Sequence, residues 1–441
     1  MNLRPLLVTS ILVILALLAS FLPIQHAAAQ SSGITFLVNN TADVADHTIN
    51  GICSAGFVTG GPCTLRAAVM EAVAQVLTKN VTIKIPEGSY SLTIPPGYYN
   101  ISPREGDLNI APAASNFQVH ITASNLAGDR PEINAGSLTD RIFEIGPSAK
   151  VKLTHLNLMN GVAEYAINAN RKGGGIFNAG YLELENVVLF NNVARCAADN
   201  PYCTPMGGAI ANAGSIFIRD SRITLNQAGF GSAIYSSGTG IVDIQRSLIF
   251  SNPHSFSAIY IQDKNILRIT NSSISNNPGS SGSGQNLYVY CCADVHINSS
   301  TFVHRGSGSN IALGGPYVPT PSISIQDSIL SSENRNCDDY AVTWVSGGYN
   351  IANDGSCTDL TGPGDLLNTD PMISIQPLFF GLDPVHIPLP GSPALNHRPG
   401  NCIYDGLPVM ADQRGIPRAD GRCDTGAFER NFPAYLPAVR R

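Results

Sequence analysis

The sequence is poor in charge. Only 13% of its residues are Asp, Glu, Lys or Arg, and the basic ones are not clustered. That argues against nucleic acid as a partner, because neutralising phosphates requires a basic stripe. Neither Gly-x-Ser-x-Gly nor His-Glu-x-x-His occurs, which leaves no sign of a nucleophile elbow or of a helix-borne zinc protease site. The ten cysteines include no Cys-x-x-Cys pair with histidine partners, so a structural zinc site is not indicated. After Leu22 no stretch is apolar enough to span a bilayer. The histidines His155, His254, His296 and His304 are scattered and read as corner or surface residues rather than bases.

What the chain does have is a short theme repeated many times. Gly173-Gly174-Gly175-Ile176 is followed by Gly207-Gly208-Ala209-Ile210, Gly231-Ser232-Ala233-Ile234 and Ser257-Ala258-Ile259. Each copy precedes an alternating apolar pair: Leu182/Leu184, Ile216/Ile218, Val242/Ile244, Leu267/Ile269, Val295/Ile297 and Ile323/Ile325. The pairs are spaced by 34, 26, 25, 28 and 28 residues. A period in the twenties made of strands means coils stacked on one another. The expected fold is all-β, a right-handed parallel β-helix with an N-terminal helical cap. Ten or so coils would form a rod about 50 Å long.

The expected organisation has five parts. Residues 1–29 read as a cleaved secretory signal, with Arg4, the apolar run Leu6 to Leu22 and Ala27-Ala28-Ala29 in order. Its removal takes the formal charge from −6 to −7 and places the mature chain outside the cell or on its surface, without a transmembrane helix. Residues 30–80 form the N-terminal cap, where Thr64 caps a helix to Thr78 whose apolar face is Leu65, Val69, Ala72, Val73, Val76 and Leu77. Residues 81–369 form the β-helix, 370–430 a C-terminal cap and 431–441 a tail. In an exported chain, the close pairs Cys53/Cys63, Cys196/Cys203, Cys337/Cys357 and Cys402/Cys423 suggest disulfides. Cys291 and Cys292 are adjacent and awkward to bridge to each other, so they are expected to pair elsewhere or stay reduced.

Three sets of residues carry a family resemblance. Cys63-Thr64-Leu65-Arg66-Ala67-Ala68 with Glu71-Ala72 resembles the CSLREA region of exported bacterial repeat proteins. Leu389-Pro390-Gly391-Ser392-Pro393-Ala394, Asp412-Gln413-Arg414-Gly415, Pro417-Arg418 and Cys423-Asp424-Thr425-Gly426-Ala427-Phe428-Glu429 resemble the "choice-of-anchor Q" region of secreted parallel β-helix proteins. The Gly-Gly-Ala-Ile repeats with Phe190-Asn191-Asn192 are similar to repeats of polymorphic outer-membrane-type surface proteins. These resemblances imply fold and export, and little chemistry.

Strand alternation gives the outward residues. One row is Lys152, Glu183, Phe217, Asp243, Arg268, His296 and Ser324, which reads as a solvated charge ladder. A second row is Phe177, Ala211, Tyr235, Tyr260, Tyr288 and Ala312. Flat rings with polar tips suit sugar faces, so Tyr235, Tyr260, Tyr288 and Phe177 are the candidate glycan-binding strip. Packing of the rings from coil to coil is the competing reading. Asp338, Asp339, Asp354 and Asp359 are the acids that could hold Ca2+ through oxygen ligands. Asn178, Asn186, Asn212, Asn271 and Asn298 recur at corners and read as structural. The resulting expectation is an exported, noncatalytic protein whose partner is a polysaccharide or envelope glycan. The alternative is a polysaccharide lyase or glycosidase. It requires three acids, or an acid pair with an arginine, in one groove. Aligned positions supply none, leaving loop acids such as Asp199, Asp338 and Asp365 to converge on folding. A pure spacer is the third reading.

Overall fold

The structure is a computed structural model. It describes residues 33–430 apart from 57–59, 98–101, 167–168, 171, 199, 201, 254–255, 280–284, 315–320, 339–342, 380–383, 405 and 419–420. The signal segment, the tail, Asp199, His254 and Asp339 therefore lie outside the described residues.

The chain winds as a right-handed parallel β-helix with three faces. The first sheet has eleven strands, from Ile34–Leu37 to Thr343–Gly348. The second has ten, from Ser89–Ser91 to Ile351–Ala352, and the third nine, from Leu108–Ile110 to Arg335–Asp338. All three are parallel throughout. One coil runs from Ile176–Asn178 in the third sheet to Tyr181–Glu185 in the first and Val188–Phe190 in the second, then returns to the third at Ile210–Asn212. The six apolar pairs align residue for residue between neighbouring coils, and every member is at most 2% exposed. Alternation sends these residues into the bore and their neighbours outward.

Corners are made by single residues. Between first and second sheets each coil turns at a left-handed position: Asn186, Asp220, Arg246, Asn271, Ser299 and Asp327, with φ between +46° and +56°. The inward residue that follows is usually serine, whose hydroxyl accepts a backbone N–H from the coil before it. Ser247 serves Ser221 at 3.1 Å, and Ser272 serves Ser247 at 3.1 Å. Of the recurring asparagines, Asn186 and Asn271 occupy these corners. Asn178 and Asn212 bond to each other at 2.6 Å near the third sheet, and Asn298 reaches the C-terminal segment at the carbonyl of Ile403, 2.9 Å away.

A longer asparagine ladder runs inside the cylinder. Asn192, Asn226, Asn252, Asn277, Asn286, Asn310, Asn336 and Asn353 form a chain of side-chain amide hydrogen bonds of 2.7–3.2 Å. Sequence reading missed it, although Phe190-Asn191-Asn192 contains its first member. The ladder passes from residues after second-sheet strands to residues before or within third-sheet strands, and ends at Asn353 after a second-sheet strand, so no single spacing reveals it.

Helix α1 spans Leu65–Gln75, and Thr64 caps it by accepting from the Ala67 N–H at 3.2 Å. It is shorter than expected: Leu77 lies beyond its end and is 46% exposed. It also buries charge. The Arg66 guanidinium pairs with Asp43 (2.6 Å) and donates to the carbonyls of Pro103 and Gly106 (2.9 and 2.8 Å). Glu71 accepts the N–H groups of Asn50 and Gly51 at 2.8 Å each. The motif residues Cys63, Thr64, Leu65, Arg66 and Glu71 thus staple, cap, pack and pin the cap.

The segment read from sequence as a C-terminal cap reaches back along the flank of the cylinder. It contains three two-stranded antiparallel ribbons and lies over the outer face of the second sheet. Ile373 and Ala394 pack on Val303, Ile329 and Ile351. Gln413 accepts from Ser273 (2.6 Å), Arg398 pairs with Asp327 (3.0 Å), and Arg418 bonds Asn271 (3.0 Å). Arg418 also pairs with the buried Glu429 at 2.6 Å, whose carboxyl burial raises to about 7. The signature residues of this segment are therefore the bolts of a clamp. Closer to the cylinder's end, Cys357 and Leu360 join the main core.

Four disulfides match the expected pairs: Cys53–Cys63, Cys196–Cys203, Cys337–Cys357 and Cys402–Cys423. The expectation for Cys291 and Cys292 is corrected, since they bond to each other. Both have left-handed φ, +43° and +63°, and this tight corner between Leu287–Tyr290 and Asp294–Asn298 lets adjacent sulfurs meet.

Candidate functional site

The outer face of the first sheet carries the outward row inferred from the sequence. The register places His120, Lys152, Glu183, Phe217, Asp243, Arg268, His296 and Ser324 in line. This row was expected to be a plain charge ladder. In the structure its members Lys152, Glu183, Phe217 and Asp243 floor a cleft of about 180 Å³ that also takes in Tyr181, Glu185, Arg219 and Gln245. The expectation that outward acids do not gather is corrected here. Glu183 and Asp243 share one row two coils apart, and Glu185 joins them from the flanking row, so counting within one row gives only two of the three.

Two rings form the centre. Tyr181 and Phe217 have centroids 5.1 Å apart and planes tilted by 36°. The Tyr181 hydroxyl donates to Glu183 at 2.9 Å. Burial and Glu183 push its pKa up to about 12, so the phenol stays protonated. Lys152 sits 2.6 Å from Glu185 and 3.8 Å from Glu183. Its hydrogen bond holds the Glu185 carboxyl below the usual range. Asp243 shifts the other way: burial raises it, against the lowering pull of Gln245, Arg268 and Arg219. One cleft thus holds carboxyls pushed in opposite directions. Burial and nearby Lys152 also keep His120 more readily neutral.

The same rows continue into a second cleft of about 270 Å³, lined by Arg268, His296, Ser324, Gln326, Val345 and, from the clamp, Tyr404. There His296 bridges Ser324 Oγ (2.8 Å) and Asp294 (3.1 Å). Beside Tyr181 a shallow hollow follows the corner of Gly180, Gly214 and Gly240. A β-carbon on Gly214 or Gly240 would strike the carbonyl of the glycine one coil earlier, so this edge is smooth because only glycine fits.

The tyrosine row lies on the third sheet as expected. Tyr235, Tyr260 and Tyr288 stack on successive coils, with centroids 5.6 and 5.2 Å apart and planes 20° from parallel. Tyr235 and Tyr260 are only 4% and 7% exposed. Phe230 and Phe256 close over them edge-on, and burial raises the pKa of all three phenols. Their faces are spent largely on one another, and Tyr288 is the half-buried end of the stack. Phe177 is separated from them by Ala211 and lies under the Arg141 guanidinium.

Of the candidate calcium acids Asp339 lies outside the described residues, and Asp338, Asp354 and Asp359 are not arranged together to hold an ion. Asp338 is half-buried, 3.5 Å from Arg335. Asp354 accepts hydrogen bonds from Asn336 and Ser356, and Asp359 is exposed. Asp365 accepts from Ser346 and Asn350. Among the described residues no three His, Cys, Asp or Glu side chains are arranged to hold a metal ion. One buried group escaped sequence reading. Arg141 pairs with Asp107 and Glu144 beside Asp140, and burial raises Asp107 to about 7.

No family model and no curated protein matches the chain. Among solved structures it is similar to the crystal structure of pectate lyase Pel9A, at 15% identity and a TM-score of 0.48, over 90% of this chain and 96% of that one. Among the described residues, no helix is long and apolar enough to cross a membrane.

Proposed function

We propose that this is an exported, noncatalytic extracellular or cell-surface protein that binds an extended polysaccharide along the outer face of the first sheet. The observation that carries this reading is the Tyr181–Phe217 pair at the centre of a cleft that continues coil after coil. Rings offer flat apolar faces to sugar, and the flanking Lys152, Arg219, Gln245 and carboxylates offer hydrogen bonds to hydroxyls. The test is a binding screen of the purified mature chain against plant, bacterial and algal polysaccharides, with and without calcium. Each ring contributes about 1 kcal/mol of stacking, so Tyr181→Ala with Phe217→Ala is expected to weaken binding roughly thirtyfold. If retention is unchanged in that variant, the cleft is not the site. If it is lost instead when Tyr235, Tyr260 and Tyr288 become Ser, the tyrosine row is the site.

A second reading, glycoside hydrolysis, is favoured by the three carboxyls and Arg219 in one cleft. Glu183 and Asp243 flank Phe217 in one row, about 10 Å apart at Cα, which leaves room for a water as in an inverting pair. Asp243, protonated more readily through burial, would serve as general acid. Release of reducing ends by the wild-type chain, lowered at least 100-fold in Asp243→Asn, supports this reading. No release from any bound glycan retires it.

A further inference from the structure

The clamp meets the second sheet at a joint that is buried but incompletely satisfied. His386, 2% exposed, has Nδ1 on the Ser374 carbonyl at 2.7 Å, and its Nε2 has no partner. On the sheet beneath, Ser275 Oγ, Asn276 Oδ1 and His304 Nδ1 also lack partners. These residues sit on adjacent coils, because Ser275 pairs with Val303, the residue before His304. The clamp lies directly over them: Asn276 bonds Gln376 at 3.0 Å, and Val303 packs on Ile373. A buried orphan polar group costs about 1–3 kcal/mol and calls for an explanation. Here two imidazoles each keep a ring nitrogen without a hydrogen-bond partner, and burial disfavours a second proton on either ring. The charged group felt by His386 is Arg305, of the same sign as a protonated imidazole.

We infer that His386, supported by His304, makes this joint an acid-sensitive latch, so that protonation releases the clamp and bares the apolar outer face of the second sheet.

The sign follows from which state takes the proton first. Burial lowers docked His386 from 6.5 to about 4, and it lowers His304 as well. A released His386 titrates near the ordinary value, so its contribution to docking is complete above about pH 6.5. That contribution falls about tenfold per pH unit down to about pH 4. The other ionisable groups at the joint are Arg305 with Glu333 on the cylinder side (3.4 Å), and Arg398 with Asp327 and Arg418 with Glu429 across the clamp. Asp424 and His397 lie on the clamp as well, and burial lowers His397. Burial raises Asp327 and Glu429, so these two favour docking as pH falls. The wild-type profile alone therefore mixes opposing contributions.

The deciding quantity is the ratio of clamp-opening constants, wild type over His386→Asn. It is measured on the intact mature chain by hydrogen exchange of residues 371–379 and 384–390, corrected for intrinsic rate. We expect this ratio to rise about 40-fold between pH 6.5 and 4.5. A flat ratio overturns the latch. Should His386→Asn fail to dock at neutral pH, carbon-detected titration of the wild-type ring decides. A ring that stays neutral below pH 5 while the clamp is docked supports the latch, and one titrating near 6.5 in the docked clamp overturns it.

Discussion

Replacing Arg66 with Met is expected to destabilise the N-terminal cap by about 3–5 kcal/mol, the usual cost of removing one partner of a buried ion pair. Met keeps most of the side-chain volume and helix propensity, so the loss isolates the charge. In the wild type, Arg66 ties three segments together: Asp43 in the first loop, the carbonyls of Pro103 and Gly106 in a later one, and α1, which carries it. Without it Asp43 stays buried, and among the described residues the N–H groups of Thr93 and Ile94 are left to hold its charge (2.6 and 2.9 Å). Asp43→Ala strands the guanidinium instead and should cost a similar amount. The expected readout is early exchange of the 65–75 amides while the first-sheet strands beyond Val119 stay protected. A loss below about 1 kcal/mol would mean that apolar packing of α1 alone holds the cap.

The same pair shows what could and could not be read from sequence. The cylinder was legible because its cause is local: alternating apolar pairs, punctuated by corners, repeated every 25–34 residues. The helix was legible from Thr64 and its apolar spacing. Arg66 and Glu71 were visible only as parts of a motif, since their partners lie 23 and about 20 residues away in loops without periodicity. The cleft failed for a related reason. Lys152, Glu183, Phe217 and Asp243 were named in one row, but Tyr181, Glu185, Arg219 and Gln245 belong to flanking rows. Reading one stripe at a time made a cluster look like a ladder. The tyrosines were placed correctly and their cover was missed, because Phe230 and Phe256 come from turns whose path the repeat does not dictate. For the segment expected as a C-terminal cap, its path along the flank was not legible, because nothing in its own sequence says that Arg418 reaches Asn271.

The asparagine ladder supplies the second large effect. Asn252→Ala is expected to cost about 3–4 kcal/mol, while Asn353→Ala, at the half-buried end, should cost under about 1 kcal/mol. The asymmetry follows from counting partners. Asn252 Oδ1 accepts both the backbone N–H and the side-chain amide of Asn226, each at 3.0 Å. Its Nδ2 donates to the carbonyls of Ile223 and Phe250 and to Asn277. Truncation strands the Asn226 N–H inside the cylinder, where no water can replace the lost acceptor, and breaks an amide chain in which each member polarises the next. Asn353 lies at the last rung, where solvent can stand in. An apolar substitute of similar size, Asn252→Leu, should do no better than Ala, because the orphaned N–H remains and the bore has no room to turn a branched chain away from it. The measurement is the denaturant midpoint of each variant. Equal midpoints for Asn252→Ala and Asn353→Ala would show that the coils are held by their apolar filling and strand hydrogen bonds alone, with the amide chain following the stack instead of fixing its register.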